Sequence, residues 1–263
     1  MAPTSRILGD LAFAEVSEKL RESSILCLPL GAIEQHGAHL PLDTDVVVAE
    51  GLARRIVARW GDEFDLWQLP TIPIGLSREH DWAPGTLSLS IACFVALMRD
   101  LARTVTRALP ARNFAIINCH GGNRGVLENV LHELRGDFGL NACSIHPFDL
   151  ACIESTPAAP DIHGGKSETS VMLALAPDRV RMMLVTRAAA RHDAAAIEAR
   201  IFDRGATWPW RSDDPGLGEG GIIGDASGAS AELGAVIIDR VVFESGRVFR
   251  RLIENGQSGA RSR

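Results

Sequence analysis

Short apolar runs recur along the chain, separated by stretches of helical periodicity, and this alternation constrains the fold more than any other feature. Residues 25–30 and 114–118 are almost wholly apolar. A half-exposed strand alternates polar and apolar side chains, whereas an unbroken short run marks a strand buried on both faces. Residues 141–148 read as a third strand. Residues 67–74 read as a strand with an irregular end, because Pro70 and Pro73 cannot donate ladder hydrogen bonds. Residues 46–60 place Val47, Leu52, Ile56 and Val57 at helical spacing. Residues 91–109 form an amphipathic helix stopped by Pro110, residues 124–138 a helix ended near Gly139, and residues 167–175 a further helix. Strands separated by helices imply a mostly parallel sheet covered on both faces, a three-layer α/β/α fold. Neither a repeat nor a low-complexity linker divides the chain. Residues 1–255 are expected to form one domain closed by a helix to about residue 253, with 256–263 a disordered tail.

Chemistry-bearing residues follow two of these strands. After the first run, Glu34, His36, His39, Asp43 and Asp45 fall within twelve residues. Carboxylate oxygens and imidazole nitrogens of this kind build hydrolytic metal sites. In an extended segment Glu34 and His36 point to the same side. The competing reading makes Asp43, Thr44 or Asp45 a cap of the helix that comes next, and His39 a turn residue. After the second run come Asn118-Cys119-His120-Gly121-Gly122-Asn123, with Asn123 expected as a helix N-cap. Glu34, His36 and His120 then lie at the carboxyl edge of the sheet, where open α/β sheets bind ligands.

A third cluster runs from Asp161 through His163-Gly164-Gly165-Lys166-Ser167-Glu168 to Ser170. Gly165-Lys166-Ser167 is not a phosphate loop, since that motif needs a glycine where Pro160 stands and a strand immediately before. Glu168 reads either as a first-turn acid favoured by the helix dipole or as a metal ligand, and His163 as an acid/base group.

Taken in order, Gly-Ala-Ile-Glu-Gln-His-Gly with Leu-Pro-Leu-Asp-Thr-Asp, Gly75 to Ser77 with Glu79-His80 and Pro84-Gly85-Thr86, Asn-Cys-His-Gly-Gly-Asn, and His-Gly-Gly-Lys-Ser-Glu-Thr-Ser resemble the creatininase family over about residues 24–240. The Gly-Gly-Asn form resembles the branch that includes the mycofactocin precursor peptidase and pyrimidine-intermediate deformylases. The resemblance implies an α/β/α metal-dependent hydrolase of cyclic amides, formamides or small peptides, homo-oligomeric and often hexameric. It implies Glu34, His36, Asp45 and His120 as ligands of one or two divalent ions (zinc, manganese or iron(II)), with Asp45 bridging. Creatininase proper carries a ligand glutamate where this chain has Gly122, so creatinine is not the expected substrate and Glu168 is the candidate replacement. His163 and Glu168 are the expected catalytic residues. Ser77, His80, Gly121, Gly122 and Asp161 are expected to line the substrate site. The alternative is a small-molecule-binding or regulatory relative without competent catalysis.

Composition agrees with an enzyme of this kind. The 263 residues are 46% hydrophobic, enough to bury a substantial core, and no apolar run is long enough to span a membrane. A net charge of −6 argues against a general nucleic-acid binder. The five cysteines, Cys27, Cys93, Cys119, Cys143 and Cys152, form no C-x-x-C pair, and no secretory leader is evident. A cytoplasmic protein with reduced thiols is expected. Cys119 beside His120 raises a cysteine nucleophile as an alternative, but neighbours in an extended segment point in opposite directions.

Overall fold

A computed structural model of the chain describes residues 5–185 and 192–260. The order of elements is α1 (Phe13–Lys19), β1 (Ile25–Leu30), α2 (Thr44–Phe64), β2 (Leu66–Gln68), α3 (Ile91–Ala108), β3 (Asn113–Asn118), α4 (Arg124–Phe138) and β4 (Asn141–Ile145). Then come the single turn α5 (Pro147–Leu150), α6 (Lys166–Leu175), the single turn α7 (Ala194–Ile197) and α8 (Ala231–Ala260). The four strands form one parallel sheet in the order β2-β1-β3-β4.

The sheet is the middle of three layers, which is why the central strands β1 and β3 are apolar through most of their length. Successive side chains alternate between faces. Ile25, Cys27, Ala115 and Ile117 pack against Val48, Leu52 and Ile56 of α2, Val171 and Met172 of α6, and Ile237, Val241 and Phe249 of α8. Leu26, Leu28, Leu30, Phe114 and Ile116 pack against Phe94 and Met98 of α3 and Leu127, Val130 and Leu134 of α4. Each such buried Leu, Ile or Phe stabilises the fold by about 1.5–3 kcal/mol. Among the described residues, no helix is long and apolar enough to cross a membrane.

Several boundaries differ from the sequence reading. The second strand stops at Gln68. Past it the pairing with β1 continues only through scattered hydrogen bonds and an isolated bridge, Leu30 with Ile72, between the two prolines. The fourth strand stops at Ile145, because Pro147 opens α5 at a first-turn position that tolerates its missing N–H. Helix α2 extends past both expected ends. Helix α8 continues to Ala260, so residues 256–260 are helix where a tail was expected; residues 261–263 lie outside the described residues. This helix is tied along its length. The Val242 carbonyl accepts from Trp60 Nε1 and the Leu252 carbonyl from Asn141 Nδ2. Helix α1 has no counterpart in the sequence reading. It is short, and Phe13 on it is exposed, so little apolar periodicity marks it.

Two contacts hold the loops at the carboxyl edge of the sheet. Gly31, just past β1, lies so close to the start of α2 that a Cβ there would stand 2.7 Å from Val46 N and 2.8 Å from the Asp45 carbonyl carbon. Asn123 stands at the N-cap position of α4 but makes no side-chain cap. Its backbone is helical, and its Oδ1 accepts instead from Leu76 N at 2.8 Å, tying the loop before Ser77 to the end of β3.

Candidate metal centre

β1 and β3 run in register from Ile25↔Asn113 to Leu30↔Asn118, and Cys119 N donates to Leu30 O one step beyond. The Glu34 and His120 loops therefore leave the sheet side by side. Asp45 enters from the first turn of α2 and Glu168 from the first turn of α6. Helix N-termini favour carboxylates, and Glu168 Oε2 also accepts from Gly164 N at 2.6 Å.

The donors form two adjoining groups. Glu34, Asp45 and His120 make one; His36, His163 and Glu168 make the other, with the ligand atoms of each within 4.8 Å of one another. His120 Nδ1 lies 3.2 Å from both Glu34 Oε1 and Asp45 Oδ2. His36 Nε2 lies 3.3 Å from Asp45 Oδ1 and 3.8 Å from Glu168 Oε2. Asp45 thus turns one oxygen to each group.

These residues fit a divalent cation. His36 Nε2 and Asp45 Oδ2 are buried without a hydrogen-bond partner. Leaving such atoms unsatisfied costs about 1–3 kcal/mol each. Burial opposes a charged His36, yet Asp45, Glu168 and Glu34 override it and push its pKa up to about 10. His120 is raised against the same burial by Glu34 and Asp45. Asp45 is lowered, against burial, by His36 and His120. Burial pushes Glu168 up to about 7. The acids draw protons onto the imidazoles, and a cation supplies the same compensation. Oxygen and imidazole donors without thiolate suit zinc, manganese or iron(II).

A second ring of groups orients the first. Ser77 Oγ donates to Glu34 Oε2 at 2.5 Å. Gln35 Oε1 accepts from Gly37 N at 3.0 Å and its Nε2 donates to Gly221 O at 2.9 Å, which fixes the amide orientation. Nε2 can only donate, so His80 Nδ1, 3.0 Å away, accepts. The neutral His80 then carries its proton on Nε2, facing Glu34 Oε1 at 3.6 Å. Glu34, His80 and His163 also cluster, but a ring accepting at one nitrogen and donating at the other has no lone pair left for an ion. His80 orients Glu34. His163 has the reverse arrangement. Its Nε2 meets both Gln35 Nε2 at 3.0 Å and the Gln35 backbone carbonyl at 2.7 Å. The carbonyl can only accept and is the shorter contact, so Nε2 donates to it, leaving Nδ1 open 3.5 Å from Glu34 Oε1. Burial holds His80 down to about 4. Burial, reinforced by His80 and His36, holds His163 well below the ordinary range. The two rings stack at 4.0 Å.

The structure therefore brings Glu34, His36, Asp45, His120, His163 and Glu168 together. Ser77 and His80 stand behind Glu34. Gly121 is open on its Cα side, and Gly122 is enclosed. Asp161 turns instead to the start of α6, where it accepts from Ser167 N at 3.1 Å and Ser167 Oγ at 2.5 Å. Its carboxylate is thereby committed to holding that helix end. His39 pairs with Thr169 Oγ1 and Asp43 with Arg179, so neither joins the cluster. Cys119 is buried. Its thiol is pushed well above the ordinary range by burial and then by Asp45 and Glu168, which disfavours the thiolate a nucleophile requires.

Three residues were missed by the sequence reading: Gln35, Glu79 and Ser212. Gln35 and Glu79 lie inside the family motifs, so their position was the available signal. Ser212 had none. It arrives from the long loop after α7, where its Oγ accepts from Trp82 Nε1 at 2.9 Å and sits 2.7 Å from His80 Nδ1. Of the two tryptophans in that loop, Trp210 reaches the centre, edge-on to His80 at 6.4 Å, while Trp208 is exposed and donates to Asp203.

The creatininase (creatinine amidohydrolase) sequence profile matches residues 9–248. The chain belongs to the creatininase family of amidohydrolases. Among its relatives in this family, the mycofactocin precursor peptide peptidase of Mycobacterium tuberculosis (strain CDC 1551 / Oshkosh) is 36% identical over 182 residues, covering 66% of this chain and 68% of that protein. The creatinine amidohydrolase of Pseudomonas putida is 30% identical over 256 residues, covering 89% and 92%. A solved creatininase described as the Mn form superposes with a TM-score of 0.74 at 26% identity, over 94% of this chain and 98% of that one. A mutant creatininase of Zn–Zn type superposes with a TM-score of 0.76 at 26% identity, over 95% and 98%. The creatininase fold and its mostly parallel sheet are thus shared along nearly the whole chain.

Proposed function

We propose that this creatininase-family chain is a metal-dependent hydrolase of small amides other than creatinine, cyclic or peptide-like. The observation that carries the proposal is the pair of donor groups joined through Asp45, with His36 Nε2 and Asp45 Oδ2 buried and unpartnered. Glu34, Asp45 and His120 would hold one ion, and His36, Asp45 and Glu168 a second. Zinc and manganese lead the candidates, since solved relatives are described as Mn and Zn–Zn forms. A divalent ion held there supplies Lewis acidity toward a carbonyl and lowers the pKa of water.

The protein's own groups do the rest. His163 is neutral at pH 7, and its Nδ1 lone pair faces the centre while Nε2–H is anchored on Gln35 O. Nδ1 takes the proton released as water adds to the amide carbon, then returns it to the leaving nitrogen as the C–N bond breaks. The Cys119 thiol takes no part. Gly121 is exposed with open space beside its Cα, and its backbone N–H is the candidate donor to a developing oxyanion. Gly122 offers no carboxylate, which separates this site from that expected of a creatinine-cleaving one.

The test combines metal analysis of the purified protein with a panel of formamides, cyclic amides and short peptides. His163→Ala is expected to keep its metal and lose about 10²–10⁴-fold in turnover, the usual general acid–base contribution. A protein without metal, or one that hydrolyses creatinine efficiently, overturns the assignment.

A further inference from the structure

Behind His120, on the side away from the donor groups, stands a buried carboxylate that the reaction scheme leaves unused. His120 Nδ1 faces Glu34 and Asp45; its Nε2 faces Leu76 O at 2.5 Å and Glu79 Oε1 at 3.4 Å. Only 16% of the Glu79 side chain is exposed. Its oxygen occupies the space where a Cβ on Gly122 would stand. Such a Cβ would run into Glu79 Oε1, Leu76 O and His120 Nε2 together. Glycine at 122 is thus a steric condition for Glu79 to reach the ring.

We propose that Glu79 is a positioning residue that orients His120 and raises the basicity of its Nδ1, and that Gly122 exists to admit it. Resting as this does on the metal-dependent reading above, the physical reason is general. An imidazole ligand donates its outer N–H to a carbonyl or carboxylate, which fixes the tautomer and strengthens the donor on the other nitrogen. Leu76 O alone fixes the tautomer, and the anionic oxygen adds the charge that a carbonyl lacks. The loop bearing Leu76 and Glu79 is held in place from two sides. Asn123 Oδ1 accepts from Leu76 N, and Glu79 O accepts from Ser212 N at 2.9 Å. The backbone that carries the backing carboxylate is therefore tied down on both sides of the site.

The experiment measures Zn(II) affinity by chelator competition for the wild type, Glu79→Gln and Glu79→Ala, with thermal unfolding of each metal-free protein alongside. Glu79→Gln keeps shape and an acceptor oxygen but removes the charge. It is expected to unfold like the wild type while binding Zn(II) about 10–100-fold more weakly, the usual loss for an outer partner of a ligand. Glu79→Ala should bind at least as weakly, and Glu79→Asp should recover part of the loss. Wild-type affinity in Glu79→Gln overturns the proposal and leaves the metal reading standing, since Glu79 is then only a space-filler. Failure of the wild type itself to bind Zn(II) or Mn(II) overturns both.

Discussion

Replacing Gly31 by alanine tests whether the fold, and not the ligand set alone, creates the centre. The added Cβ would stand 2.7 Å from Val46 N, 2.8 Å from the Asp45 carbonyl carbon and 2.9 Å from Val46 Cα. Ordinary carbon contacts lie at about 3.5 Å, so the start of α2 must retreat by about 0.8 Å. All three atoms are backbone, so no side-chain rotation can relieve the overlap. Asp45 rides on that turn and faces both donor groups. Overpacking of this kind costs about 1–3 kcal/mol, and a displacement near 1 Å costs about 10²-fold in rate. The assay is urea unfolding together with metal content and turnover on the best amide of the panel. Gly136→Ala is the control. Gly136 is an exposed glycine of α4 with open space around its Cα, and alanine there should stabilise by about 0.8–1 kcal/mol. Wild-type metal content and turnover in Gly31→Ala would show that Asp45 tolerates displacement and does not bridge two groups.

Glu168→Ala should lower metal content and reduce metal affinity by at least about 10–100-fold, the loss typical of groups that merely back a ligand; full metal content and full activity would reduce Glu168 to a helix-start residue. Cys119→Ala should retain turnover, and native Cys119 should resist iodoacetamide, because its buried thiol is held well above the ordinary range; rapid labelling with loss of activity would reinstate the thiol. In the metal-free protein, His80 should titrate near 4 by NMR rather than near its ordinary 6.5. The unfolded chain then binds the extra proton between those values, so His80 lowers stability as pH falls from about 6.5 to about 4, and His80→Gln should lessen that fall in urea midpoint. A His80 titration near 6.5 would contradict the assigned burial and hydrogen bonding.

Much of the layer plan was written locally. Residues 25–30 and 114–117 are apolar because both faces of the sheet are covered, and α3 and α4 carry their periodicity and stop signals in the sequence. The positions of the candidate donors were legible for the same reason, while their grouping as ligands came from the family resemblance. Glu34, His36 and His120 come after buried strands, and Asp45 and Glu168 open helices, so residue type and element end coincide. What the sequence could not supply was relation across distance. Asp161 and Asn123 carry suitable chemistry at suitable places, yet one holds the start of α6 and the other holds Leu76 N, because nearer backbone donors claim their oxygens. Gln35 becomes the hinge of two histidine tautomers only once Gly221, His80 and His163 meet it, and Ser212 reaches His80 from 132 positions away. Gly122 appears in the sequence as a missing side chain; packing shows it as the space Glu79 fills. Periodicity and chain direction determine which elements form and where donor residues leave the sheet. Which polar atom each donor meets is decided by three-dimensional contact, since hydrogen bonds and charge compensation act over a few ångströms of space regardless of separation along the chain.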